Sequence, residues 1–187
     1  MHYPTPVTRS GEPDGEPAAL TPRQAPAYSS LMSQSVFTIR QARPQDRPVL
    51  NQVMLRASLA VETGETRRRL MAEPDHLQVD EDLLARGQII LAEAEGDPVG
   101  FAAFAIGGSQ FAELAGMFVH PDYWRRGIGR RLLAAVEIEL LARQATGIRV
   151  VAGTSAVPFY QAQGFTMAGE EKTPLGPVVP VLTKAIG

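Results

Sequence analysis

The chain contains no cysteine, which excludes disulfides, thiolate metal sites and a cysteine nucleophile. Its three histidines, His2, His76 and His120, are scattered, so a zinc cluster is not expected and the chemistry should run without a metal. No apolar run approaches the roughly 20 residues that span a bilayer. Lys+Arg (18) against Asp+Glu (20) leaves no basic surplus to hold a phosphate backbone. Neither a membrane nor nucleic acid is therefore an expected partner. The lack of cysteine fits a reducing compartment, and we expect a cytoplasmic location.

What is present is a chain of 187 residues, 44% hydrophobic and 20% charged, the composition of a soluble globular protein of about one domain. Proline is unevenly spread. Pro4, Pro6, Pro13, Pro17, Pro22 and Pro26 crowd a stretch with few large aliphatics and no hydrophobic period. Residues 1 to 35 are expected to be a disordered, Pro-rich tail. Glu12, Asp14 and Glu16 argue against a targeting presequence there. Residues 36 to 187 remain as one folded domain.

Within that domain, alternation around Phe37 and Ile39 predicts a strand. Val49, Leu50, Val53, Met54 and Ala57 recur at helical spacing after Pro44. Shorter helices are expected over 65 to 86, and strands over 88 to 95, 99 to 106 and 111 to 119. Gly96-Asp97-Pro98 is read as the hairpin turn joining the first two of these strands. A long helix is expected from Gly127 to about Ala145, with Ile128, Leu132, Leu133, Val136, Leu140 and Leu141 inward. A short strand over 148 to 152, a short helix over 155 to 162 and two final strands complete an α/β fold with a mixed sheet.

The segment Trp124-Arg125-Arg126-Gly127-Ile128-Gly129-Arg130 lies between a predicted strand and the long helix. Glycines at a helix start leave backbone N–H groups free to meet an anion. Arg125, Arg126 and Arg130 can neutralise a pyrophosphate there. Tight helix–strand packing with solvated arginines explains the same residues. There is no Gly-Lys-Ser/Thr of a P-loop, and Leu132 stands where a dinucleotide fingerprint places its last small residue.

At this point the sequence resembles the GCN5-related N-acetyltransferases (GNAT), whose acetyl-CoA loop reads Gln/Arg-x-x-Gly-x-Gly/Ala. Gly127 and Gly129 match, while Trp124 stands at the Gln/Arg position. A second piece, Ala156-Val157-Pro158-Phe159-Tyr160 through Gly164-Phe165, is similar to the family's A-x-x-F-Y-x-x-x-G-F signature. Family members often carry Asn where this chain has Gly153.

The resemblance implies a mostly antiparallel central sheet flanked by helices and splayed between its fourth and fifth strands. It also implies acetyl-CoA as co-substrate. The cofactor arm would lie beside Met117, Phe118 and Val119, and its pyrophosphate on Arg125, Arg126, Gly127, Ile128, Gly129 and Arg130. Tyr160 would act as general acid toward the departing sulfur, its ordinary pKa near 10 making that transfer nearly balanced. Glu113 would be the general base, since it stands on the strand before the loop where histone-modifying members of the family place a glutamate; alternation would also put Glu113, Ala115, Met117 and Val119 on one face. Water relays or other carboxylates, among them Asp80, Glu81 and Asp82, are the alternatives for that role. His120 is expected to be exposed in its turn before Pro121.

The acceptor would be a primary amine of a small molecule or protein, selected by residues 58 to 86 and by the last two strands. The acidic run at 80 to 82 could attract a cationic amine, though an acidic helix start is the commoner cause of such a run, and Arg67, Arg68 and Arg69 could meet a carboxylate or phosphate on the acceptor, though a solvated face is the commoner one. The family often dimerises through its C-terminal strands, and Val178, Val179, Val181 and Leu182 are apolar enough for a core or an interface. A CoA-binding module without catalysis, or a transferase using another acyl-CoA, remains open from the sequence.

Overall fold

The computed structural model describes residues 37–74, 77–107, 111–172 and 178–187. The expected tail, residues 1 to 35, and His76 lie outside them. Strand β1 (Phe37–Gln41) leads through a turn at Pro44–Asp46 into α1 (Arg47–Val61). Then follow α2 (Gly64–Ala72), α3 (Glu81–Ala85), β2 (Ile89–Ala94), β3 (Asp97–Ala105) and β4 (Phe111–Val119). The remainder is α4 (Ile128–Ala142), β5 (Gly147–Val151), α5 (Val157–Ala162), β6 (Thr166–Lys172) and β7 (Val178–Ala185).

The strands form one seven-stranded sheet in the order β1-β2-β3-β4-β5-β7-β6, and only the β4–β5 neighbours run parallel. That pair needs a crossover, and α4 supplies it. One face of the sheet is covered by α4, whose Ile128, Leu132, Leu133, Val136 and Leu140 pack with Ile90, Phe104, Leu114 and Ile148. The other face takes α1 through Leu50, Val53 and Met54, with Leu84 of α3 against Ile89, Leu91 and Phe101. The helical periods of α1 and α4 thus become two cores, one on each side.

Three expectations shift. Val49 and Leu141 keep the helical spacing of the buried set but are exposed. The β2–β3 turn is Glu95-Gly96, both left-handed with φ of 54° and 92°. Two such residues match the twist of a hairpin, and Asp97 and Pro98 already belong to β3. The third change concerns β4. Phe104 of β3 faces Leu114 and Ala103 faces Gly116, so Ala115 is an extra residue bulged out of the ladder. Ala112, Leu114, Met117 and Val119 therefore share the α4 face, while Phe118 joins the α1 face. The expected single face holding Glu113, Ala115, Met117 and Val119 is broken at the bulge, and Glu113 points opposite to Met117 and Val119.

Arg40 anchors the start of α1. It donates to Asp46 Oδ2 at 2.7 Å and to Glu93 Oε1 at 2.6 Å, and the Arg43 N–H also donates to Asp46 at 2.7 Å. The hydrogen bond from Arg40 outweighs burial and holds the Asp46 carboxyl below its ordinary value.

Candidate active site

Beyond the bulge β4 loses its neighbour. It pairs with β5 only from Phe111 to Leu114, and β5 then follows β7, the Ala152 N–H donating to Pro180 O at 2.9 Å. The sheet is thus splayed between its fourth and fifth strands, as the resemblance implied. The His120 N–H donates to Val99 O of β3 at 2.8 Å. N–H and C=O directions alternate along a strand, so those of Val119 and Met117 face the open side. Phe118, by the same alternation, turns its backbone to β3, and its ring lies 5.3 Å from that of Phe101. Of the three residues assigned to the cofactor arm, two therefore present backbone to the opening.

One group on that edge is already engaged. The Trp124 indole N–H donates to Val119 O at 2.6 Å. The loop that carries Trp124 turns sharply, with left-handed Arg125 (φ 61°) and Gly127 (φ 80°). Gly127 is the N-cap of α4 and offers no side-chain cap. Among the described residues, the amides of Arg125, Arg126, Gly127, Ile128, Gly129 and Arg130 meet no acceptor, whereas the Arg131 N–H begins the helical ladder to Gly127 O.

The two glycines serve different ends. A Cβ on Gly127 would meet nothing within 4 Å, whereas one on Gly129 would sit 3.3 Å from the Phe159 ring and 3.8 Å from the Met117 methyl. Packing alone accounts for Gly129, while Gly127 supplies the left-handed turn and an uncovered backbone. Buried Ile128 pins the helix start, and Arg125, Arg126 and Arg130 are exposed beside it. The Arg126 guanidinium lies over the Tyr123 ring at 5.0 Å. Free amides, a helix N-terminus and exposed arginines together fit a pyrophosphate.

Tyr160 of α5 is 5% exposed, its ring edge-on to Phe159 at 5.2 Å and to Phe165 at 5.3 Å. It belongs to the core of the α4 face, so it has a packing role as well as a hydroxyl. Burial pushes that hydroxyl up to about 12, because the phenolate would lose its hydration. The near balance with a thiol expected from an ordinary tyrosine does not hold; Tyr160 stays protonated more firmly.

Glu113 stands on β4 with its side chain 52% exposed, its Oε1 3.6 Å from Arg149 Nη1 of β5. Arg149 also pairs with Glu171 of β6. His120 is less open than expected, its side chain 19% exposed. Its Nδ1 accepts from the Asp122 N–H at 3.3 Å, and Arg56 of α1 lies 3.4 Å from its Nε2.

The acidic run at 80 to 82 acts as a helix start. Asp80 Oδ1 accepts from the Leu83 N–H at 3.0 Å, Glu81 pairs with Arg47 at 2.5 Å and Asp82 lies 3.7 Å from Arg86. Arg68 and Arg69 meet Glu65 within α2, and Arg67 reaches Leu59 O. Two site features escape the sequence reading: Arg149, hidden in an apolar strand, and the bond from Trp124 to Val119. Only the departure of Trp124 from the loop pattern hinted at the second.

The model of the acetyltransferase (GNAT) family matches residues 55–165, from the middle of α1 to the Phe165 that closes the second motif. The chain belongs to the GNAT acetyltransferase family. Membership carries acyl transfer from acetyl-CoA as the broad chemistry. A GCN5-related N-acetyltransferase from Rhodopseudomonas palustris is 25% identical and superposes with a TM-score of 0.65, covering 81% of this chain and 97% of that one. The PaiA N-acetyltransferase of Thermoplasma acidophilum, solved with coenzyme A, is 20% identical at a TM-score of 0.65, with 80% and 99% covered. The ribosomal-protein-S18-alanine N-acetyltransferase of Escherichia coli is 21% identical at 0.60, with 81% and 94% covered. The latter two likenesses speak to the fold. No curated protein matches the sequence.

Proposed function

We propose that the protein is an acetyl-CoA-dependent N-acetyltransferase that acts on a primary amine by direct attack in a ternary complex. The observation that carries this reading is the run of unengaged amides from Arg125 to Arg130 beside the unpaired edge at Met117 and Val119. Acetyl-CoA, when bound, supplies the acyl group as an activated thioester. The amides, with Arg125, Arg126 and Arg130, would hold its pyrophosphate, and the edge of β4 would hold its arm as an added strand holds a sheet.

The chain's own residues then divide the proton work. An alkylammonium with a pKa near 10.4 is neutral in about one part in a few thousand at pH 7, so the acceptor must lose a proton. Glu113 takes that proton at a carboxylate oxygen, directly or through water, and Arg149 fixes where the carboxylate stands. Tyr160 donates its O–H toward the departing sulfur. With its pKa near 12, it works chiefly as a hydrogen-bond donor to developing charge, since full transfer to a thiolate is uphill. Since the chain has no cysteine, no cysteinyl thioester can form on it.

Thiol release from acetyl-CoA over a panel of amines tests the reading, alongside calorimetry with several CoA thioesters. Release with at least one amine is expected in the wild type. Glu113→Gln and Tyr160→Phe should lose turnover and keep CoA affinity. Binding without release by any amine would mark a CoA-binding module instead, and tighter binding of another thioester a different acyl donor.

A further inference from the structure

Trp124 stands where the loop meets the open edge of β4, the residue 40% exposed, and it is the only tryptophan in the chain. Its N–H occupies Val119 O at 2.6 Å. Beyond the bulge the open edge carries the N–H and C=O groups of Met117 and Val119, and of their two carbonyls this bond leaves only that of Met117 free. A ligand arm that adds along the edge by amide hydrogen bonds needs an acceptor for its own N–H.

We infer that Trp124 is a positioning residue that sets the register of the acyl carrier: by filling Val119 O it leaves Met117 O as the seat for an arm amide beyond the bulge. The inference rests on the acetyl-CoA reading above. Without the indole N–H, Val119 O opens as a second seat. Equivalent groups on one edge of a strand recur every two residues, about 7 Å apart. An arm seated at Val119 would therefore hold its thioester about 7 Å from the place where Glu113 and Tyr160 can serve it, while binding as well as before. The signature is a loss in kcat without a loss in affinity, which a mere weakening of the loop would not produce.

The test uses the full chain in two forms. Trp124→Phe removes the N–H and most of the ring's reach. Because the chain has a single tryptophan, growth on benzothienylalanine replaces only that indole N–H by sulfur and keeps the ring's shape. Calorimetry with CoA and steady-state kinetics with acetyl-CoA and an accepted amine are run on wild type and both forms, with thermal midpoints. The expected result is a kcat about 2-fold lower in the benzothienyl form, because two equivalent seats share the arm equally, with the Kd for CoA no weaker than in the wild type and at most about 2-fold tighter. Trp124→Phe should show the same split if its midpoint is unchanged. An unchanged kcat in the benzothienyl form, or a Kd that rises in step with the fall in kcat, overturns the inference while leaving the acetyltransferase reading intact. A wild type that neither binds CoA nor releases thiol overturns both.

Discussion

Glu113 and Arg149 face each other in register across the sheet's parallel pair, Oε1 to Nη1 at 3.6 Å, with Glu171 on the far side of the same guanidinium. The carboxylate is thereby held at the foot of the splay, on the face opposite to Met117 and Val119. Glu113→Gln should lower kcat by about 10²-fold or more, the usual worth of a general base. Its folding stability should change by less than about 1 kcal/mol, because the pair is half exposed and screened. Turnover and urea midpoints measured together check this; a large stability loss with an unchanged kcat would make Glu113 a structural partner of Arg149.

Tyr160 should be read directly by its absorbance. Phenolate formation followed at 295 nm should show a step near 12 in the wild type that is missing in Tyr160→Phe. The folded hydroxyl titrates higher than the unfolded one, near 10. The unfolded chain therefore releases this proton first, and stability falls as pH rises from 10 toward 12. Between pH 9 and 11 the wild type should lose about 1 kcal/mol more than Tyr160→Phe, as measured by denaturant melts.

The two loop glycines should fail in different ways. Gly127→Ala places a Cβ in open space at a φ of 80°, a backbone cost of about 1 kcal/mol that thermal melts should register. Gly129→Ala keeps a helical backbone but crowds the Phe159 ring at 3.3 Å. Its stability should stay within about 1 kcal/mol of wild type, while the displaced ring weakens CoA binding several-fold. Adding Phe159→Leu should restore the binding.

Much of this was legible in the sequence because long periods and spaced motifs are local signals. Both α1 and α4 came from helical spacing, the Gly127-x-Gly129 loop from glycines at a helix start, and the Phe159-Tyr160 piece from the resemblance to the GNAT signature. The bulge was half visible: Gly116 marks it, and the apolar set Ala112, Leu114, Met117 and Val119 steps by two, three and two. Strict alternation missed that extra step because Ala115 is small enough to suit either face. Arg149 is passed over when 148 to 152 is read as a fully apolar strand, and its meaning depends on Glu113 and Glu171, which other strands bring to it. Leu141 has the right spacing but is 45% exposed, so spacing overstated its burial.

The Arg40–Asp46–Glu93 group ties β1, β2 and the start of α1 together. Asp46→Asn should destabilise by about 2 kcal/mol, the scale of a hydrogen bond to a charged group. With its pKa depressed by Arg40, Asp46 stabilises the fold above the ordinary carboxylate value. That contribution is lost as pH falls through the lower folded value. Urea midpoints at pH 7 and pH 3 should show a smaller acid loss in Asp46→Asn than in the wild type.

The claim that the splayed edge and the loop amides together form the CoA seat is tested most directly by amide hydrogen exchange, resolved to single residues, with and without CoA. The account predicts slowed exchange at Met117 and Val119 and across Arg125 to Arg130, with the Phe118 amide, already turned to β3, little changed. Unchanged exchange at these amides under saturating CoA, or protection centred on the α1 face instead, would contradict it.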